Sequence, residues 1–144
     1  MTSASSTTAS TWVAIDVAKV AHQVLVETSN GRRRAIRIGN TASDIERLVT
    51  YLQSLPQPCV IAFEPTGDYH RALMHRLGQA GFALRQVSSL AVARTRDAMY
   101  NSWDKNDPKD AQVILHLLKT GTTQRFVDPL VSGHHDLQEM ANTY

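Results

Sequence analysis

The stretch 12-WVAIDVA-18 decides the fold. Both alternating sets of side chains are apolar apart from one aspartate, the pattern of a central strand buried on both faces. Asp16 shares a pleat face with Trp12 and Ala14. Burying an isolated carboxylate is costly enough to demand a partner, a proton or a cation. A position near the strand end would also allow a local cap or ion pair, so this acid alone leaves its role open.

Working outward, 23-QVLVET-28, a turn at 29-SNGR-32 and 33-RRAIRI-38 form an antiparallel meander with Asn30-Gly31 as its turn signal. A helix over about 42–55 follows, with Ile45, Leu48, Val49, Leu52 and Leu55 at helical spacing. Thr41 and Asp44 supply a capping-box pattern before it, and Pro56 stands after it. The run 59-CVIAF-63 is a buried strand leading into 64-EPTGDY-69. A helix over about 68–79 carries Tyr69, Leu73 and Leu77 on one face and stops at Gly81. Another strand, 82-FALRQV-87, precedes a helix over about 89–99 capped by Ser88 or Ser89. The last strong helix is 111-AQVILHLLKTG-121. The order βββαβαβαα, three antiparallel strands and then parallel βα units, describes an α/β protein with a ribonuclease-H-like fold.

With 144 residues the chain suffices for one domain with a real core. Residues 1–11 read as a disordered Ser/Thr-rich leader, 12–121 as the domain, and 122–144 as the start of a truncated linker or helical region. The leader lacks the basic and apolar regions of a secretory signal. No apolar run reaches the roughly 18–20 residues of a membrane span. Cys59 is the single cysteine and reads as a buried structural thiol, which fits a reducing, cytoplasmic setting. The six histidines are scattered, His70 and His75 on one helix and His134-His135 in the tail, and give no zinc spacing.

Three further acids require explanation. Glu64 ends the CVIAF strand, and ligands bind at the carboxyl ends of parallel strands in open α/β sheets. In 101-NSWDKNDPKDAQ-112, Asp107 reads as a helix N-cap, Pro108 as the first helical residue and Asp110 as the capping-box partner. The same i, i+3 spacing places both carboxylates on one side of a first turn, where they can share a cation. Asp16, Glu64, Asp107 and Asp110 together form an all-oxygen set suited to Mg²⁺ or Mn²⁺, and a pair of such ions supports phosphodiester chemistry.

Net charge is only +2, but Arg32, Arg33, Arg34 and Arg37 cluster, as do Arg94 and Arg96. With Lys105 and Lys109 beside the acids, these are candidate phosphate contacts.

The runs 14-AIDVAK-19, 63-FEPTGDY-69, 91-AVARTRDA-98 and 105-KNDPKDA-111 resemble, in order and spacing, the N-terminal catalytic domain of the insertion sequence 110 family of DEDD transposases. Piv-type invertases are relatives in that family. The resemblance spans roughly residues 12–121 and implies a RuvC-like fold. It implies that Asp16, Glu64, Asp107 and Asp110 are the four acids holding Mg²⁺ beside a scissile DNA phosphate. Asn106 stands where the family usually has threonine. The family's properties further imply a downstream coiled coil, a second domain with a catalytic serine, a homo-oligomer, a bridge RNA that pairs with DNA, and a prokaryotic, nucleoid-associated location.

Three rival readings stand beside this one. An actin-like phosphotransferase wants a glycine-rich turn after its first strand, and 17-VAKVAH-22 has no glycine. A RuvC-like Holliday-junction-type nuclease would use the same acids alone. A non-catalytic nucleic-acid-binding module would use only the basic clusters.

Overall fold

The computed structural model describes residues 9–99, 102 and 107–126. Strands β1 (Thr11–Asp16), β2 (Ala21–Thr28) and β3 (Arg33–Gly39) form the meander, and helix α1 (Ala42–Gln53) follows. Strand β4 (Cys59–Phe63), helix α2 (Arg71–Gln79), strand β5 (Ala83–Gln86) and helix α3 (Ser89–Ala98) come next. Helix α4 (Lys109–Lys119) and a two-residue strand β6 (Gln124–Arg125) complete the described chain. The sheet order is β3-β2-β1-β4-β5-β6, with β1, β4 and β5 mutually parallel and the other strands antiparallel to their neighbours. The α/β architecture is the expected one.

Two cores flank the sheet because its central strands are apolar on both sides. Val13, Ile15, Val24, Val26, Ile61 and Phe63 pack against Leu48 and Leu52 of α1 and Leu73, Met74 and Leu77 of α2. On the other face, Ala14, Leu25, Val60 and Ala62 pack against Val92 of α3 and Ala111, Ile114, Leu115 and Leu118 of α4. Alternation along β1 thus sends Val13 and Ile15 one way and Ala14 the other. Asp16 continues the Ala14 side, beneath α3 and α4.

Local chemistry fixes the element ends. The Thr41 hydroxyl accepts from the Asp44 backbone N–H at 3.3 Å, while the Asp44 carboxylate accepts from the Gly39 N–H at 2.7 Å. A Cβ on Gly39 would lie 2.8 Å from that carboxylate oxygen, so a larger residue there would make the Asp44 side chain shift. Ser88 caps α3 by accepting from the Ala91 N–H at 3.0 Å. The Gly31 turn between β2 and β3 has φ 85°, a left-handed value that glycine adopts without a side-chain clash.

Four expectations are corrected. The leader ends earlier than residue 11: Ala9 is buried, and Thr11 begins β1 with its hydroxyl donating to the Pro56 carbonyl at 2.7 Å. Helix α2 starts at Arg71 rather than 68, because Asp68–His70 form a turn after Gly67, and Tyr69 is exposed instead of packing beside Leu73. Within 122–144, residues 124–125 form β6, an edge strand held on β5 by the pairs Arg85–Arg125 and Gln86–Gln124. Residues 127–144 lie outside the described residues.

The fourth correction concerns α4. Pro108, at φ −59° and ψ 132°, is its N-cap, and no side chain caps it. The Pro108 carbonyl accepts the first helical bond from Gln112 N–H at 3.0 Å, while the Gln112 side chain donates to the Asp107 carbonyl at 3.0 Å. Asp107 therefore precedes the cap, its carboxylate engaged elsewhere, and Asp110 sits in the first turn, where its charge suits the helix dipole.

Leu52 is fully buried at the centre of the α1 face. Leu52→Ala should cost about 2–5 kcal/mol, the usual range for a deleted leucine core side chain. Urea unfolding followed by circular dichroism will show this as a lowered midpoint at unchanged slope.

Candidate active site

The parallel register of β1 and β4 pairs Trp12 with Val60, Ala14 with Ala62, and Ile15 with Phe63. One step further along, Asp16 and Glu64 emerge side by side at the carboxyl ends of the two strands, on the face covered by α3 and α4. Behind Glu64, the Thr66 hydroxyl donates to the Glu64 carbonyl at 3.3 Å, and Gly67 turns the chain at φ 55°. The strand-end glutamate is thereby held by a short turn.

Helix α4 brings Asp110 to the same end. Burial pushes the Asp16 carboxyl above its ordinary range, and the charges of Asp110 and Glu64 push it further, with Arg96 opposing them. These three acids and one arginine thus share an electrostatic neighbourhood. Arg96, on α3, grips a single Asp110 oxygen with Nε at 3.1 Å and Nη2 at 3.0 Å.

Asp107 is placed differently. Its largely buried carboxylate faces Arg33 on β3, at 3.5 Å from Nη1. Arg33 in turn donates from Nε to Glu27 at 2.7 Å. Glu27 lies on the α4 face of β2, buried, and also pairs with Lys119 at the end of α4. Burial pushes the Glu27 carboxyl up, but Lys119 and Arg33 outweigh it and hold the group below its ordinary value. The Lys119 ammonium also sits 5.6 Å from the centre of the Trp12 ring. This network ties both ends of the α4 segment to the sheet.

Among the described residues, no group of three or more His, Cys, Asp or Glu is gathered tightly enough to hold a metal ion. The donor chemistry nevertheless suits a hard divalent cation. Asp16, Glu64 and Asp110 would supply oxygen ligands, and a cation would relieve the repulsion of Glu64 and Asp110 on Asp16.

The basic candidates divide. Arg33 and Arg96 are bound to carboxylates, whereas Arg32, Arg34, Arg94 and Lys109 are exposed. Lys105 lies outside the described residues, as does Asn106. Arg96 was legible only as a cationic residue; its partner Asp110 became visible when α3 packed on α4. The Glu27 network was missed, although Glu27 shares a pleat face with Leu25 and that alternation marked it as buried. Burial pushes the Cys59 thiol up to about 12, so it is a protonated core group rather than a nucleophile. No helix among the described residues is long and apolar enough to cross a membrane.

A mixed sheet with this order, acids at adjacent strand ends and helices on both faces define a ribonuclease-H-like domain. The fold is shared with Thermus thermophilus RuvC, at a TM-score of 0.53 and 11% identity over 81% of this chain and 99% of that one. T. thermophilus RuvC solved with a Holliday junction substrate gives 0.50 and 13% over the same shares. No curated protein shows significant sequence similarity to the chain. Residues 13–144 match the insertion sequence 110 family of DEDD proteins, described as "Transposase". The chain belongs to that family.

The Asp16 environment sets a pH dependence. An unfolded aspartate titrates near about 3.9, and folded Asp16 titrates higher. The folded chain therefore binds the extra proton between the two values, and stability falls as pH rises through that window. Above it, ionised Asp16 is a standing destabilisation. Asp16→Asn should be more stable than wild type at pH 7 in chelator, and the gap should close below about pH 4. Urea unfolding at both pH values tests this; an equal gap at each would point to packing instead of charge.

Proposed function

We propose that this domain supplies the acidic half of a Mg²⁺-dependent DNA transposase site, acting on a scissile phosphodiester for strand cleavage and transfer. The observation that carries the reading is the emergence of Asp16 and Glu64 at adjacent parallel strand ends, with Asp110 acting on Asp16 from α4. The family and the RuvC-like fold support it. Bound Mg²⁺ or Mn²⁺ would activate a nucleophile and stabilise a leaving oxygen.

In this reading the chain's own residues prepare that chemistry. Asp16 and Glu64 are rigid because their strands are buried on both faces. Asp110 is held by Arg96, which neutralises it and keeps it in place until a cation competes. Asp107, the fourth ligand, is correspondingly held by Arg33. Both arginines lie close enough to meet DNA phosphates when the carboxylates turn to the cation. Exposed Arg94 and Lys109 extend the phosphate-binding surface. Strand transfer is completed in a longer, oligomeric protein by a serine from another domain and directed by a guide (bridge) RNA, in a prokaryotic cytoplasm at the nucleoid.

Calorimetric titration with Mn²⁺ is the direct test. Wild type should bind it and Asp16→Ala should lose it; equal binding by both, or by neither, would leave a non-catalytic nucleic-acid-binding module. Cleavage of a Holliday junction by this chain alone would favour the junction-nuclease alternative.

Asp107→Asn separates structure from chemistry. Asp107 caps nothing with its side chain, and among the described residues the variant weakens the long contact with Arg33, so it should cost no more than about 1–2 kcal/mol in stability. Recombination by the full-length protein should fall by more than about 100-fold, beyond what loss of a group supporting a metal ligand costs. Full activity would reduce Asp107 to an ion-pair partner.

A further inference from the structure

The β2–β3 hairpin and the C-terminal half of α1 enclose a cleft of about 430 Å³. Its lining includes Asn30, Arg32, Arg34, Tyr51, Leu55 and Pro56. The volume falls within the roughly 300–1,000 Å³ of small-ligand sites. The cleft lies on the other face of the sheet from Asp16, although Arg33, the partner of Asp107, also borders it. Arg34 pairs with Val26, and Val26 with Val13, all on the α1 side of the sheet, whereas Asp16 faces α3 and α4. Val13 also lies roughly 10 Å back along β1 from Asp16, at about 3.3 Å per residue.

Its charges are unspent. Arg33, Arg76 and Arg96 each pair with a carboxylate, but among the described residues neither Arg32 nor Arg34 does. The Arg34 guanidinium instead lies 4.9 Å from the centre of the half-buried Tyr51 ring, which supports it from below. Val26, Leu55 and Pro56 make the floor apolar. The Asn30 carbonyl oxygen accepts from the Arg32 backbone N–H at 3.0 Å. That bond fixes the amide orientation and leaves its NH₂ without a protein acceptor among the described residues. Edge strands often carry arginines merely to discourage pairing, and Arg37 on β3 lies on the opposite pleat face from Arg34 and outside the lining of this cleft. Arg34 differs by having an aromatic support, an apolar floor and a hydrogen-bond donor within one concavity.

We propose that this cleft is a subsite for one unstacked nucleotide of a single-stranded nucleic acid. The base stacks on the outer face of the Arg34 guanidinium, the Asn30 amide donates to the base edge, and Arg32 meets the phosphate. The subsite extends the reading of this chain as a nucleic-acid enzyme by a second contact, on the opposite face from the chemistry. RNA and DNA single strands share the recognised groups.

Fluorescence anisotropy with labelled dT and U dodecamers, in chelator and at fixed salt, tests the proposal. Arg34→Ala should weaken binding by about 10-fold or more, in line with the loss of one stacked base. Arg34→Lys keeps the charge but not the plane, and should still lose several-fold; Arg37→Ala should change little. The tighter of the two oligonucleotides identifies the natural strand. Equal losses from Arg34→Ala and Arg37→Ala, full retention by Arg34→Lys, or no binding by wild type would each overturn the subsite. If wild type binds no single strand yet takes up Mn²⁺ through Asp16, the cleft fails and the acidic site stands. Stacking at the cleft without Asp16-dependent Mn²⁺ uptake is the converse.

Discussion

Parallel pairing of β1 with β4 is the constraint on which the rest depends. Parallel strands cannot be joined by a tight turn, so β2, β3 and α1 all lie in the connection between them. Both strands are apolar on both faces, and they require cover on both sides of the sheet. Helices α1 and α2 supply one layer, α3 and α4 the other. The same pairing decides where the acids stand. In-register neighbours Ala14 and Ala62 keep the approach small and apolar until the strands end, and Asp16 and Glu64 then emerge together. A slip of one residue would send one of them to the opposite face.

Holding negative charge at that end is unfavourable, and the structure offsets it with arginine. Arg96 answers Asp110 from the preceding helix, and Arg33 answers Asp107 from β3, 74 residues earlier in the chain. Asp16 has no such partner close enough to dominate, and its carboxyl rises accordingly. A cation at that end would relieve the repulsion that Asp110 and Glu64 exert on Asp16. Arginine's planar fork fits carboxylate and phosphate alike, which is what the proposed exchange of partners would require.

Much of this was legible in the residues. Runs apolar on both faces identified β1 and β4, the Asn30-Gly31 turn signal marked the β2–β3 meander, and threefold-to-fourfold spacing identified α1, because those patterns follow directly from which faces are buried. The strand-end positions of Asp16 and Glu64 followed from the same patterns. The start of α4 did not. Residue types at Asp107, Pro108 and Asp110 satisfy a capping box equally well, whereas in the structure Pro108 is the N-cap and the Asp107 carboxylate faces Arg33 from β3. Strand β6 was hidden for a related reason: two residues carry no period, and their pairing to β5 is a tertiary fact.

The triplet Arg32-Arg33-Arg34 shows how little a sequence cluster means until pleating is considered. In the extended backbone around the start of β3, adjacent side chains face opposite layers. Arg33 reaches under α4 and becomes the hinge of a buried network with Glu27 and Asp107. Arg32 and Arg34 turn towards α1 and retain their charge at a cleft. One basic run therefore serves two sides of the sheet, joining the acidic centre through its middle residue and facing solvent through the outer two. Shifting β3 by a single residue would exchange those duties. Register at this edge decides which arginine meets Glu27, and the Glu27–Arg33 pair, with Glu27 itself held by Lys119, favours the observed one.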